Sequence, residues 1–309
     1  MMIKLSKFKW ILFFAVPLFF MACGDDDSAD PKNIVEVALD DDQFSTLTAA
    51  LTRVGLVPTL EGTGPFTVFA PTNAAFTASN INIDNLTDAE LTEVLLYHVL
   101  GAEVTSSAIA EGQTYATTAA NTGPGDTQLS ILIEKTAAGA VSLNGSVNVT
   151  SADVEATNGV IHVIDRVLSP LDLVGHATAN SNFSTLATAL GDASLVATLQ
   201  TDGPFTVFAP LNSAFADIAT TVAGLSTEQL AKVLLYHVVG SANVRSSALT
   251  DGMNVVSANA DVPFTVNITG TDVTITDAGG GEAKVVLTDV QATNGVIHVL
   301  NKVIIPDNL

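Results

Sequence analysis

Five histidines and a single cysteine are the side chains here whose ordinary pKa values suit proton transfer or metal ligation near neutral pH. Four of the histidines come as two pairs. His98 and His237 each follow a tyrosine in Leu-Leu-Tyr-His-Val, at Leu95–Val99 and Leu234–Val238. His162 and His298 each lie in Asn-Gly-Val-Ile-His-Val, at Asn158–Val163 and Asn294–Val299. A histidine inside such an apolar run is expected to be a hydrogen-bonded core residue of a strand. His98 and His237 are expected at a helix end, where the helix dipole favours an imidazolium. Each stands behind a tyrosine, Tyr97 or Tyr236, whose buried hydroxyl would need a backbone partner. His176 has no counterpart and is expected at the surface. No Gly-x-Ser-x-Gly elbow, His-Glu-x-x-His motif, acidic calcium loop or phosphate-cradling glycine loop accompanies these residues. Neither repeated stretch carries a catalytic pair. The sequence points to a protein that is not an enzyme and holds no cofactor or metal.

The elements that position these residues are written twice. Gly64–Phe76 (GPFTVFAPTNAAF) recurs as Gly203–Phe215 (GPFTVFAPLNSAF), and Gln43–Leu47 recurs as Asn182–Leu186 at the same offset of 139 residues. Ala156–Val163 recurs as Ala292–Val299 at an offset of 136, so three residues are lost between. A period this long is a domain and not a solenoid unit. The junction follows from the ends: a first domain over 33–170 and a second over 171–309, with almost nothing left as linker. That predicts a restricted geometry for the pair.

Within each copy helices precede strands. Phe44, Leu47, Leu51 and Val54 keep helical spacing, with Asp42 as the N-cap. Thr87–Glu90 and Ser226–Gln229 are capping boxes. Pro65 and Pro71 bracket a strand, Phe66–Ala70, with large apolar groups on both faces, as in a central, doubly covered strand. Asn73 is expected to cap a short helix that buries Phe76. Gln128–Glu134 and Val147–Val154 alternate as strands, Gly279–Gly281 reads as a hairpin loop, and Asn158-Gly159 reads as a type I′ hairpin turn. Eight of the nine phenylalanines after Cys23 occupy repeat-paired positions, the pattern of a core written twice; Phe264 is the exception. The fold class is α+β with a mostly antiparallel sheet.

The N-terminus sets the compartment. Lys4, Lys7 and Lys9 precede the apolar run Trp10–Phe20, long enough for a signal-peptide core but short of the roughly 20 residues of a spanning helix. Phe20-Met21-Ala22-Cys23 resembles a bacterial lipobox, with Phe where Leu is usual. That implies a signal peptide over 1–22, lipidation of Cys23, and a tether over 23–32. The acidic run Asp25–Asp27 resembles the surface-export signal of some Gram-negative lipoproteins. It also suits a solvated tether. A net charge of −21, from 32 acidic against 11 basic residues, excludes nucleic acid as a partner. Spending Cys23 on lipid leaves no thiol for a disulfide or a zinc site.

A strand reading Thr-Val-Phe-Ala-Pro-x-Asn-x-Ala-Phe, a helix ending in Leu-Leu-Tyr-His-Val and a late hairpin reading Asn-Gly-Val-Ile-His-Val, in that order and twice, resemble the fasciclin-like domain. The resemblance covers nearly all of 33–309. It implies two tandem wedge-shaped, mostly antiparallel sheets packed with N-terminal helices. It also implies secretion or membrane tethering, and adhesion to an extracellular matrix, a host or neighbouring cells. A Tyr-His pair at this place is implicated in receptor binding by animal members, which implies a ligand-binding role for Tyr97, His98, Tyr236 and His237. The partners expected are an extracellular protein or glycan and, through lipid, the outer membrane. Two rivals stand beside adhesion. One is a structural envelope protein facing the periplasm. The other is a soluble-ligand or glycan-binding accessory protein, for which Tyr115, matched by Asn254 in the second copy, is the aromatic expected to be exposed.

Overall fold

The computed structural model describes residues 31–259, 262–307 and 309, so the signal, Cys23 and the acidic run lie outside the described residues. The first repeat opens with helices α1 (Ile34–Leu39), α2 (Ser45–Arg53) and α3 (Val57–Leu60), strand β1 (Phe66–Pro71), and helices α4 (Asn73–Ala78) and α5 (Asp88–Tyr97). Strands β2 (Val99–Leu100), β3 (Gly112–Thr117), β4 (Ser130–Lys135), β5 (Val141–Leu143), β6 (Val147–Ala156) and β7 (Gly159–Ile164) follow. The second repeat runs α6 (Leu173–Ala179), α7 (Ser184–Asp192), α8 (Val196–Leu199), β8 (Phe205–Pro210), α9 (Asn212–Asp217), α10 (Ala219–Ala223) and α11 (Thr227–Tyr236). Its later strands are β9 (Val238–Gly240), β10 (Met253–Val256), β11 (Pro263–Thr269), β12 (Asp272–Thr276), β13 (Glu282–Ala292) and β14 (Gly295–Leu300).

Each repeat builds one seven-stranded sheet, in the orders β2-β1-β7-β6-β5-β4-β3 and β10-β11-β12-β13-β14-β8-β9. All pairings are antiparallel except β1 with β7 and β8 with β14. The expected α+β class holds. So does the central strand. Val68 and Ala70 of β1 enter a core with Ile34, Leu47, Leu51 and Leu95 of the helices. Phe69 enters a second core with Tyr97, Ile131, Leu143 and Ile164. Between them Thr67 is fully buried; its hydroxyl donates to Ala102 O (2.7 Å) and accepts from Val104 N (2.8 Å), and Thr206 repeats the pattern on Ala242 and Val244. The twice-written stretch thus holds two cores and a loop together.

Both capping boxes form, at α5 and α11. Two other caps shift. Asp41, not Asp42, caps the 3₁₀ turn that leads into α2, and Thr72, not Asn73, caps α4. Asn73 instead accepts from Thr46 N (2.9 Å) and donates to Asp42 O and Ser45 Oγ (both 2.9 Å), tying α4 to the start of α2. In the second repeat Leu211 replaces the threonine and the side-chain cap is lost, yet Asn212 keeps its ties to Thr185, Ser181 and Ser184. The asparagine serves the packing of two helices.

The type I′ turn is also overturned. The two-residue loop between β6 and β7 is Thr157-Asn158, and neither residue has a positive φ, as that turn requires. Asn158 is a brace. Its Oδ1 accepts from Ile34 N (3.0 Å) and its Nδ2 donates to Leu60 O (2.7 Å) and Gly62 O (2.8 Å); Asn294 does the same with Leu173, Leu199 and Thr201. The glycine beside it answers to the parallel neighbour, since a Cβ on Gly159 would lie 2.0 Å from Phe66 O.

Candidate functional site: the Tyr-His corners and the seam between repeats

Tyr97 ends α5 and His98 caps it, because the chain must turn there from helix into β2. Tyr97 and Tyr236 have no exposed surface, and His98 and His237 keep 2% each. The Tyr97 hydroxyl donates to Ser130 O (2.9 Å) and accepts from Asn144 Nδ2 (3.0 Å); that of Tyr236 donates to Pro263 O (3.0 Å) and accepts from Ala278 N (3.1 Å). His98 Nε2 accepts from Leu168 N (2.9 Å), which fixes the tautomer so that Nδ1–H donates to Val94 O (2.6 Å). His237 repeats this with Ile304 N and Val233 O. Burial pushes both imidazoles down to about 4, against a smaller upward pull from those carbonyls. Burial outweighs the helix dipole, and the rings are neutral. None of the four side chains offers a polar atom to solvent, so any part they take in binding is indirect, through the corner they hold.

Removing one hydroxyl from such a network strands its partners. We expect Tyr97→Phe to cost about 1–3 kcal/mol, because Ser130 O loses its tyrosine donor and Asn144 one acceptor. Denaturant melts of the two proteins would read it. A binding defect with unchanged stability would put the hydroxyl on a ligand instead.

The structure also gathers a Ser, an Asp and a His that the sequence separates. Ser106 Oγ donates to Asp153, Ser106 N donates to Asp153 Oδ1 (2.7 Å), and Asp153 N donates to His162 Nδ1 (3.2 Å). Ser246, Asp289 and His298 repeat the set. The wiring is not that of a nucleophile. The serine proton goes to the carboxylate, and His162 Nε2–H is spent on Val104 O (2.8 Å), so no basic nitrogen faces the hydroxyl. Asp153, at φ +59° where β6 breaks register, clamps the loop after β2 onto the sheet. The hydrogen bonds from Ser106 hold its carboxyl below the usual range.

Two residues without like counterparts in the other repeat, Tyr115 and His176, meet. Their rings stack edge-on at 5.6 Å, and Asn180 Nδ2 donates to Tyr115 Oη (3.1 Å). Tyr115 is half-buried against the second repeat and His176 is fully buried, so both surface expectations are corrected. Around them Asn182 Nδ2 donates to Gln113 Oε1 (2.8 Å), Gln291 N to Ser130 Oγ (2.9 Å) and Asn243 Nδ2 to Pro124 O (3.2 Å). The seam crosses from β3, β4 and the loop between them to α6 and the turn after it, the loop after β9, and β13. The signal lies in the sequence itself: Tyr115 and His176 are places where the repeat fails to repeat.

Among the described residues no aromatic side chain is exposed, no group of His, Cys, Asp and Glu is placed to hold a metal ion, and no helix is long and apolar enough to cross a membrane. An open groove of about 440 Å³ lies between the ends of α2 and α5, walled by Arg53, Asp88, Glu93, Leu96 and Thr122. Its one guanidinium is committed, to Ile83 O, Leu86 O and Asp88.

Comparison with known proteins follows the same division into two repeats. The fasciclin domain family profile matches residues 42–170 and 181–306, and the chain belongs to that family. It is 31% identical over 82% of its length to the rabbit (Oryctolagus cuniculus) transforming growth factor-beta-induced protein ig-h3, of which it spans 36%. It is 42% identical over 47% of its length to protein sll1483 of Synechocystis, covering 76% of that protein. A solved domain pair from the insect cell adhesion molecule fasciclin I aligns with 87% of this chain and 94% of its own, at 19% identity and a TM-score of 0.47.

Proposed function

We propose that this chain is a non-enzymatic, lipid-anchored protein of a Gram-negative outer membrane that binds an extracellular protein through its outward faces. Cys23 carries the lipid and Gly24–Lys32 the tether; stable residence needs more than one acyl chain. The single observation behind a binding role is that the chemistry-bearing side chains are consumed internally. The repeated tyrosine hydroxyls, imidazoles and Ser-Asp pairs are bonded within their own repeat. Family membership supports adhesion to a matrix, a host or neighbouring cells. The absence of an exposed aromatic among the described residues favours a protein over a glycan, since sugar sites stack on aromatic faces. Tyr97, His98, Tyr236 and His237 contribute by holding the corners from which the β2 and β9 loops project.

Protease shaving of intact cells tests the placement. We expect loss of the Lys32–Leu309 unit while a periplasmic marker survives. Protection until the outer membrane is opened would make the protein a periplasm-facing envelope component and remove adhesion.

A further inference from the structure

Duplication supplies an internal control for the seam, because the α6–β13 face that meets the first repeat has an uncovered twin on the first repeat itself. The twin positions of His176, Ala179, Asn180 and Gln291 are Val37, Asp40, Asp41 and Glu155. Val37 is half-buried and the three acids are exposed. On the covered face every one of those carboxylates is replaced by an uncharged residue, and Asn180 and Gln291 retain 4% and 3% exposure. That is what a buried polar contact requires, since an unpaired carboxylate there would be costly. At the one remaining position the twin is an apolar valine, yet the covered face carries a titratable imidazole. Both of its ring nitrogens are buried without a hydrogen-bond partner; among the described residues no other side-chain polar atom is left so.

We propose that His176 makes the contact between the two repeats acid-sensitive, so that its protonation separates them while each repeat stays folded. A neutral ring packs edge-on against Tyr115 and leaves only one N–H and one lone pair unpaired, with no charge to bury. A protonated ring carries a second N–H donor and a charge, and neither ring nitrogen has a hydrogen-bond partner to take them. Tyr115 of β3 is the titratable group on the ring, and its phenol is pushed up to about 12 by burial, so it supplies no anion. Asp172, at the start of α6, is engaged by Gly175 N (2.6 Å); Asp289 of β13 holds Ser246; Glu134 of β4 is bonded to Gln113; His298 of β14 is spent on Val244 O. Burial pushes the His176 ring down to about 4. The Gln291 main chain softens that shift, but neither ring nitrogen reaches it with hydrogen-bond geometry. In an open pair the ring regains its ordinary value near 6.5. The closed pair is therefore fully favoured above pH 6.5 and weakens roughly tenfold per pH unit below it, until about pH 4.

Small-angle scattering of the Lys32–Leu309 unit, with circular dichroism on the same samples, tests this between pH 7.5 and 5. We expect the radius of gyration to grow as pH falls while the dichroism holds. His176→Val, the residue of the uncovered twin, should keep the neutral-pH dimensions throughout. Growth that is identical in His176→Val, or that appears only when the dichroism collapses, would overturn the proposal. If that variant does not fold, hydrogen exchange on the wild type decides. The Gln291 amide, bonded across the seam to Ser130, should lose protection on acidification after correction for intrinsic rates, while the Val207 amide in β8 keeps it. Parallel loss at both would sink the idea.

Discussion

Gly159→Ala is expected to destabilise the first repeat by about 4 kcal/mol or more, the range reserved for a core whose backbone must move. The added Cβ would lie 2.0 Å from Phe66 O and 2.8 Å from Phe66 N and C. Those are main-chain atoms of β1, paired with β7 in the central parallel ladder from Phe66↔Gly159 to Pro71↔Ile164, so no side chain can swing aside. The φ of +151° adds strain for any L residue. Gly295→Ala separates the two causes. It has no positive φ, but its Cβ would lie 2.2 Å from Phe205 O, and it should destabilise the second repeat nearly as much. Gly191→Ala, in α7 with open space around it, should instead gain up to about 1 kcal/mol of helix propensity. Calorimetry of the three variants reads the contrast. If Gly159→Ala melted with the wild type, the parallel pairing of β1 and β7 would be wrong.

That glycine also shows where the sequence stopped being readable. Asn-Gly between two strands carries a local meaning, and the local meaning lost to a neighbour more than ninety residues earlier in the chain. Everything set by near neighbours was legible: the capping boxes at Thr87 and Ser226, the extended runs of β4 and β6 though not their burial pattern, the glycine loop after β12, and the double face of β1. Caps competing with tertiary ties were off by one residue, as when Asn73 gave up α4 to hold α2. The Ser106-Asp153-His162 set was invisible because its members lie 47 and 9 residues apart and meet only at a bulge. His176 and Tyr115 are visible in the sequence as residues that fail to repeat. Such a failure suggests a free surface residue, but a unique contact between two copies also has to be built from residues that only one copy carries.

Acid should weaken the repeats well before their carboxylates are titrated. His98 and His237 are held at about 4 in the fold, burial being the main cause, and return to about 6.5 in the unfolded chain. Between those values the unfolded state binds the extra protons. Stability is therefore complete above pH 6.5 and falls as pH drops toward 4, by roughly 1.4 kcal/mol per pH unit for each ring and roughly 3 kcal/mol each across the range. One effect opposes this. A net charge of −21 shrinks as pH approaches the isoelectric point near 4.2, easing self-repulsion. Those acids are largely exposed and screened beyond about 8 Å at physiological salt, so burial wins. Denaturant melts at half-unit steps from pH 7.5 to 4.5 would show a steady fall. His98→Leu should be less stable at pH 7.5, since Leu168 N and Val94 O lose their bonds, yet flatter in slope by one ring's share. A wild-type profile that stays level down to pH 4.5 would mean that both imidazoles are charged in the fold, and that the corners holding the projecting loops are wet.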